Sequence, residues 1–218
     1  LFQRQSALVR IGLYVLVGMI VVGLLGTSLA WYVGSGAEQL KSDPSSSQEG
    51  AIATEREKQE ALREQYKGML ASKPEDLAVL TGYARVEMQL GVLYLQESKS
   101  DQGQEAFQRA AELYQKALEQ RDDPLLRLEL ASAYQVLDDG NKAEEELQKI
   151  LKEEPENILA LSQMASLYEN KEDWDGAIKV WERILVSPQA DEMTKKVAKS
   201  RIEELEKQKP EAGSQKSE

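Results

Sequence analysis

The sequence predicts an all-α fold, in which one N-terminal transmembrane helix precedes an α-solenoid of helix-turn-helix repeats. Three observations predict it. Residues 11–33 contain no charged side chain, apolar residues recur at helical spacing through most of the remaining chain, and one set of them returns after 34 residues. The elements are taken below in chain order.

The apolar segment, residues 11–33, is long enough for a membrane span of about 35 Å at 1.5 Å per residue. Tyr14 near one end and Trp31 with Tyr32 at the other are typical of the aromatic residues at membrane interfaces. The alternative is a signal peptide cleaved near Ala30, whose apolar region usually runs about 7–15 residues. Because apolar character continues past Ala30, we predict that the segment is retained and contacts the lipid bilayer.

Positive charge before the apolar segment predicts its orientation. Arg4 and Arg10 precede it, whereas Lys41 follows it among acidic residues. We therefore expect a cytoplasmic flank at 1–10, and a repeat domain that lies outside the cytoplasm at the cell membrane. Residues 34–50 are rich in Gly, Ser and Pro and predict a flexible linker. The repeat domain is predicted at 51–209, before a disordered tail at 210–218.

The repeat is defined by residues that return 34 positions later. Leu130-Ala131, Tyr134, Ala143 and Leu151 recur as Met164-Ala165, Tyr168, Ala177 and Leu185. Each unit is predicted to form two antiparallel helices, with alanine where the helices approach and larger side chains filling the remaining space. One pair cannot bury its apolar face alone, so consecutive units must stack.

The pattern resembles the tetratricopeptide repeat (TPR) family, whose units carry a leucine with a small residue, a tyrosine, an alanine and a closing proline. Here Pro155 closes the unit at 124–157, and the next unit spans 158–188. With the membrane segment, the chain resembles bacterial envelope TPR proteins in architecture. The resemblance implies a module that binds other proteins.

The flanking helices fit the same template less closely. Asp76 predicts the N-cap of a long helix that ends near Ser98, and a second helix follows over 101–120. Thr54 and Glu57 form a capping-box pattern, which predicts an upstream helix over 54–71. The last helix is predicted from Pro188 to about Lys209, where it caps the stack.

The resemblance also implies a concave groove lined by the first helix of each unit, and the residues expected there are mostly polar. Serine and amide side chains in such a groove suit hydrogen bonds to a peptide backbone, although a solvated helix surface fits the same pattern. The predicted groove residues are Thr81, Arg85, Gln89, Glu129, Ser132, Gln135, Ser162, Gln163, Ser166, Glu169 and Asn170.

The run at 86–95, VEMQLGVLYL, has apolar residues on more than one helical face. Either it packs as core between two neighbouring helices, or it forms a candidate partner patch of Val86, Leu90, Leu93 and Leu95. The second possibility belongs to the alternative function, a permanent subunit of a larger membrane complex.

Composition excludes several functions. The chain has no cysteine and no histidine, and no cofactor, metal site or enzyme activity is predicted. Beyond residue 33 the chain holds 25 basic and 38 acidic side chains, so we expect no binding to nucleic acid. No small-molecule substrate is indicated either. The favoured function is a membrane-anchored module that recruits or holds protein partners outside the cytoplasm.

Overall fold

The computed structural model describes residues 44–209, with side chains from Glu49 onward. Within these residues all regular structure is helical. The eight helices are α1 (Pro44–Ser72), α2 (Leu77–Gln96), α3 (Ser100–Gln120), α4 (Pro124–Val136), α5 (Gly140–Glu153), α6 (Ile158–Asn170), α7 (Trp174–Val186) and α8 (Glu192–Gln208).

Each helix packs against the next one along the chain, and α4 also contacts α6 directly. Helices α2, α4 and α6 are the first members of successive hairpins, and α3, α5 and α7 are their second members. The hairpins therefore stack side by side, which is the predicted solenoid of helix-turn-helix repeats.

The core lies where the small residues of the repeat bring helices together. Ala84, Ala131 and Ala165 on the first helices have no exposed surface, and neither do Ala143 and Ala177 on the second helices. Larger side chains fill the spaces between the hairpins, and one continuous cluster runs from Leu80 to Leu205.

The turns inside the hairpins share one geometry. Ser98, Asp138 and Glu172 each have φ near +60°, and each follows the C-cap residue of a first helix. At Asp138 and Asp139 the two backbone N–H groups donate to carbonyls of Gln135 and Tyr134. This pair of bonds is the Schellman motif, which ends the helix and turns the chain toward its partner.

The helix caps confirm some of the predicted helix starts. Asp76 and Asp123 accept hydrogen bonds from the first turns of α2 and α4, with Pro124 opening α4. Asp139 caps α5. One predicted start was wrong, since α8 begins after the cap Asp191 instead of at Pro188.

The N-terminal boundary also differs from the prediction. Helix α1 begins at Pro44, inside the predicted linker at 34–50, and proline is favoured in the first turn of a helix. Thr54 therefore lies within the helix, where its hydroxyl donates to the Gly50 carbonyl, and forms no capping box.

No helix within residues 44–209 combines the length and the apolar character that a membrane crossing needs. The predicted span at 11–33, the flank at 1–10 and the tail at 210–218 lie outside the described residues.

Candidate protein-binding groove

The first helices of the hairpins are joined edge to edge by polar contacts. The Arg85 guanidinium of α2 pairs with Glu129 of α4, with 2.8 Å between Nη2 and Oε1. One hairpin further on, Gln163 of α6 donates from Nε2 to the Ser132 hydroxyl of α4 at 3.1 Å. The structure thus brings these four predicted groove residues to one face of the solenoid.

The last contact in this series reaches α8. Arg201 of α8 forms an ion pair with Glu169 of α6, so α8 occupies the place of a further first helix. Glu169 also accepts a hydrogen bond from the Trp181 indole Nε1 at 2.7 Å. With both interactions, Glu169 joins α6 to α7 and α8, and this predicted groove residue has a structural role.

Not every predicted groove side chain is free to meet a ligand. The Thr81 hydroxyl donates to the Leu77 carbonyl of its own helix, and Ser132 donates to Leu128 in the same way. The amide atoms Gln135 Nε2 and Gln163 Oε1 are covered and have no hydrogen-bond partner within the described residues. These two amide atoms can therefore form a hydrogen bond with a ligand only after the side-chain amide rotates toward the surface.

The remaining predicted groove residues lie at the surface. Arg85, Gln89, Ser166 and Asn170 are exposed, and Ser162 is partly buried. Beneath this surface, burial and the neighbouring Glu129 carboxylate raise the pKa of Tyr114, so that its hydroxyl keeps its proton. The face is polar, mixed in charge and supported by a rigid layer of first helices.

The residues of the candidate partner patch are covered wholly or in part by neighbouring helices. Val86 and Leu90 are buried, and Leu93 and Leu95 are partly buried. Helices α1 and α3 both pack against α2, so two faces of α2 need apolar residues. Val86 and Leu90 of the run at 86–95 therefore belong to the core, while Leu93 and Leu95 keep part of their surface.

A buried charge network was not predicted from the sequence. Glu87 of α2 has no exposed surface, yet its Oε1 lies 3.0 Å from Arg63 Nε of α1 and its Oε2 lies 3.2 Å from Arg109 Nε of α3. Burial disfavours the Arg63 charge, but Glu87 and Tyr94 together outweigh it, and the pKa of Arg63 is raised. A glutamate inside the apolar run at 86–95 was the available signal.

Polar contacts continue along the interface between α1 and α2. The Tyr94 hydroxyl donates to Glu60 at 2.7 Å, and Arg56 Nε lies 3.1 Å from Glu97 Oε2. A small cavity of about 220 Å³ opens beside Arg63, with mixed charges in its wall. The lining has three basic and two acidic side chains, and this mixture indicates no particular ligand.

The architecture is that of a helical-hairpin solenoid with a polar inner face. Two tetratricopeptide-repeat family models match the chain, at residues 102–158 and at residues 160–192. These two stretches of the chain therefore match tetratricopeptide repeats, which typically form a non-catalytic module that binds other proteins. A comparison with curated proteins finds no match.

Proposed function

We propose that this protein recruits or holds partner proteins at the extracytoplasmic face of the cell membrane, through the groove formed by α2, α4, α6 and α8. The observation that carries the proposal is the series of contacts from Arg85 to Arg201, which fixes successive first helices into one continuous face. A preformed, rigid face reduces the ordering cost of binding.

Composition supports anchoring at the membrane. The charge-free segment at 11–33 is preceded by Arg4 and Arg10, which favours a cytoplasmic N-terminus. Added protease is expected to digest the repeat domain in right-side-out vesicles. Full protection, with digestion only after the vesicles are opened, would reverse the proposed orientation.

Site-specific photo-crosslinking in the source membrane tests the groove. A photo-reactive amino acid replaces Ser166, which is exposed in the groove on α6. The matched control carries it at Gln108, which is also exposed and lies on the second helix α3. A discrete protein adduct at 166 and none at 108 is expected, whereas equal adducts at both positions, or none at either, would contradict the groove.

A further inference from the structure

Three large apolar side chains are exposed at equivalent places in the repeat. Leu125, Leu159 and Met193 are 58%, 59% and 73% exposed. They are separated by 34 residues, and each is the second residue of its helix, in α4, α6 and α8. We call them the apolar row. Isolated exposed leucines are common, but exposure that recurs with the repeat places apolar groups in a line.

Met193 and Val197 of the last helix are both exposed. Helix α8 buries Ala198 and Leu205 against the stack. Met193, in the first turn of α8, stays uncovered.

The apolar row forms one edge of the groove. Residues four and seven positions apart share one face of a helix. Leu125 therefore shares a face with Glu129 and Ser132, and Leu159 shares a face with Gln163 and Ser166 of α6. These polar residues are in the predicted groove, and two of them form the contact between α4 and α6. A ligand that lies across the groove meets apolar groups on one side and polar groups on the other.

Carboxylates surround the row. The loops and first turns that carry it hold Asp122, Glu154, Glu156 and Glu192, all of them exposed. Asp122 pairs with Arg127 at 2.7 Å and Glu192 lies 3.9 Å from Lys195, whereas within residues 44–209 neither Glu154 nor Glu156 has a lysine or arginine at ion-pair distance. The described residues as a whole hold 34 acidic and 23 basic side chains. Charge complementarity thus favours a basic ligand.

The spacing indicates the form of that ligand. Helices α4 and α6 are in direct contact, and helices in contact lie about 8–10 Å apart. A polyproline-II segment brings every third side chain to the same side about 9 Å further on, which fits the step from Leu125 to Leu159. Its backbone N–H and C=O groups are unpaired, so they can bond to side chains such as Ser166 or Gln163. The backbone of a bound α-helix is already paired and would leave those groups unused.

We propose that the groove binds an extended segment of a partner protein, with apolar residues at every third position and lysine or arginine between them. The apolar residues contact Leu125, Leu159 and Met193, and the basic ones face the surrounding carboxylates. This inference rests on the proposed function and names the class of partner segment.

The test uses the full chain in mild detergent and a displayed library of random 12-residue peptides. Selected peptides are synthesised with a fluorescent label, and their affinities are measured by anisotropy. The row variant carries Leu125→Ser, Leu159→Ser and Met193→Ser. Its matched control is Val186→Ser, because Val186 is 79% exposed at the end of α7, outside the row. A polar groove variant, Ser166→Arg, completes the set, and thermal unfolding monitors the fold of each.

Selected peptides are expected to be basic, with an apolar residue at every third position. They should bind the row variant about a hundredfold more weakly, since partial burial of each apolar side chain is worth about fivefold in affinity. Val186→Ser should leave affinity unchanged. Peptides that bind the row variant and the parent with equal affinity would overturn the inference, and so would acidic peptides.

The outcomes also separate this inference from the proposed function. In one outcome, Ser166→Arg abolishes binding and the row variant binds normally. That outcome would support the groove as the binding site and exclude a role for the apolar row. Failure to select any peptide, together with no photo-crosslink at 166, would contradict both.

Discussion

Glu87 Oε1 on α2 lies 3.0 Å from Arg63 Nε on α1, inside an interface that excludes Glu87 from solvent completely. Arg109 of α3 approaches the other carboxylate oxygen, so one buried acid joins three helices. No residue of α1 with a described side chain is itself fully buried. The attachment of α1 therefore combines this charge network with partly buried apolar residues such as Tyr66, whose ring stacks on Tyr83 of α2.

Replacement of Glu87 by Gln is expected to loosen α1. The substitution keeps the shape of the side chain but leaves two arginines without their counter-charge, and breaking a buried ion pair costs about 3 kcal/mol. Hydrogen exchange of the full chain should show faster opening in α1, by about a hundredfold, with α6 and α7 unchanged.

Glu105→Gln is the control for this prediction. Glu105 also pairs with Arg109, at 3.5 Å, but its side chain is 68% exposed. Exposed pairs contribute less than about 1 kcal/mol, so exchange in α1 should barely change. Similar exchange rates in the two variants would show that the buried carboxylate does not hold α1.

Gly91 is required by the close approach of α2 and α3. A Cβ atom at this position would lie 2.6 Å from the Phe107 ring, whose side chain is buried and cannot move away freely. We expect Gly91→Ala to destabilise the fold by about 1–3 kcal/mol. Thermal unfolding followed by circular dichroism measures the effect.

Gly68 supplies the matched position for comparison. It lies within α1, and a Cβ atom there would meet nothing within 4 Å. Since alanine is favoured over glycine in a helix, Gly68→Ala should stabilise by about 0.5–1 kcal/mol. If both variants change the stability in the same direction, helix propensity and not contact with Phe107 determines the effect of Gly91→Ala.

The regular hairpins could be predicted from the sequence because their signals are local or periodic. The recurrence of Tyr134 at Tyr168 and the cap at Asp123 define where α4 to α7 lie. The charge network could not be predicted this way. Glu87 meets partners on two different helices, and neither distance along the chain is a multiple of the 34-residue period.

The errors at the two ends of the domain have a related cause. A first or last helix packs on one side only, so its apolar pattern is weak. Its bounds then have to be predicted from capping residues and prolines alone. Pro44 follows a polar stretch and lies at the start of α1, whereas Pro188 follows the apolar end of α7 and lies in a loop before Asp191. Val86 and Leu90 were ambiguous for the opposite reason, since α2 packs on two sides.

Glu172 is expected to tolerate glycine with a gain in stability. Its φ of +59° disfavours a side chain by about 1 kcal/mol, and the residue is exposed in the turn between α6 and α7. Glu172→Gly should raise the free energy of unfolding by about 0.5–1 kcal/mol. Glu182→Gly, at an exposed position within α7, should lower it by a similar amount. Equal losses in both variants would exclude a strained turn.

Glu144 makes the contact between α5 and α6 dependent on pH. Its carboxylate accepts from the Tyr168 hydroxyl at 2.9 Å and pairs with Lys171 Nζ at 2.7 Å. Burial opposes the charge, but Lys171 and Tyr168 together lower the pKa of Glu144 below its ordinary 4.5. Burial, with the bond to Glu144, raises the pKa of Tyr168 to about 12, so the hydroxyl remains a donor.

The sign of the pH effect follows from the lowered pKa. A carboxylate whose pKa is lower in the folded state stabilises the fold above its unfolded value, and the contribution disappears as the pH falls through the folded value. We expect Glu144→Gln to be less stable than the parent at pH 7, with the difference shrinking below about pH 4.5. Urea unfolding across this range measures it, and Glu145→Gln, at the exposed neighbouring position, is the control. A difference between parent and Glu144→Gln that stays constant down to pH 3 would mean that the charge of Glu144 does not stabilise the contact between α5 and α6.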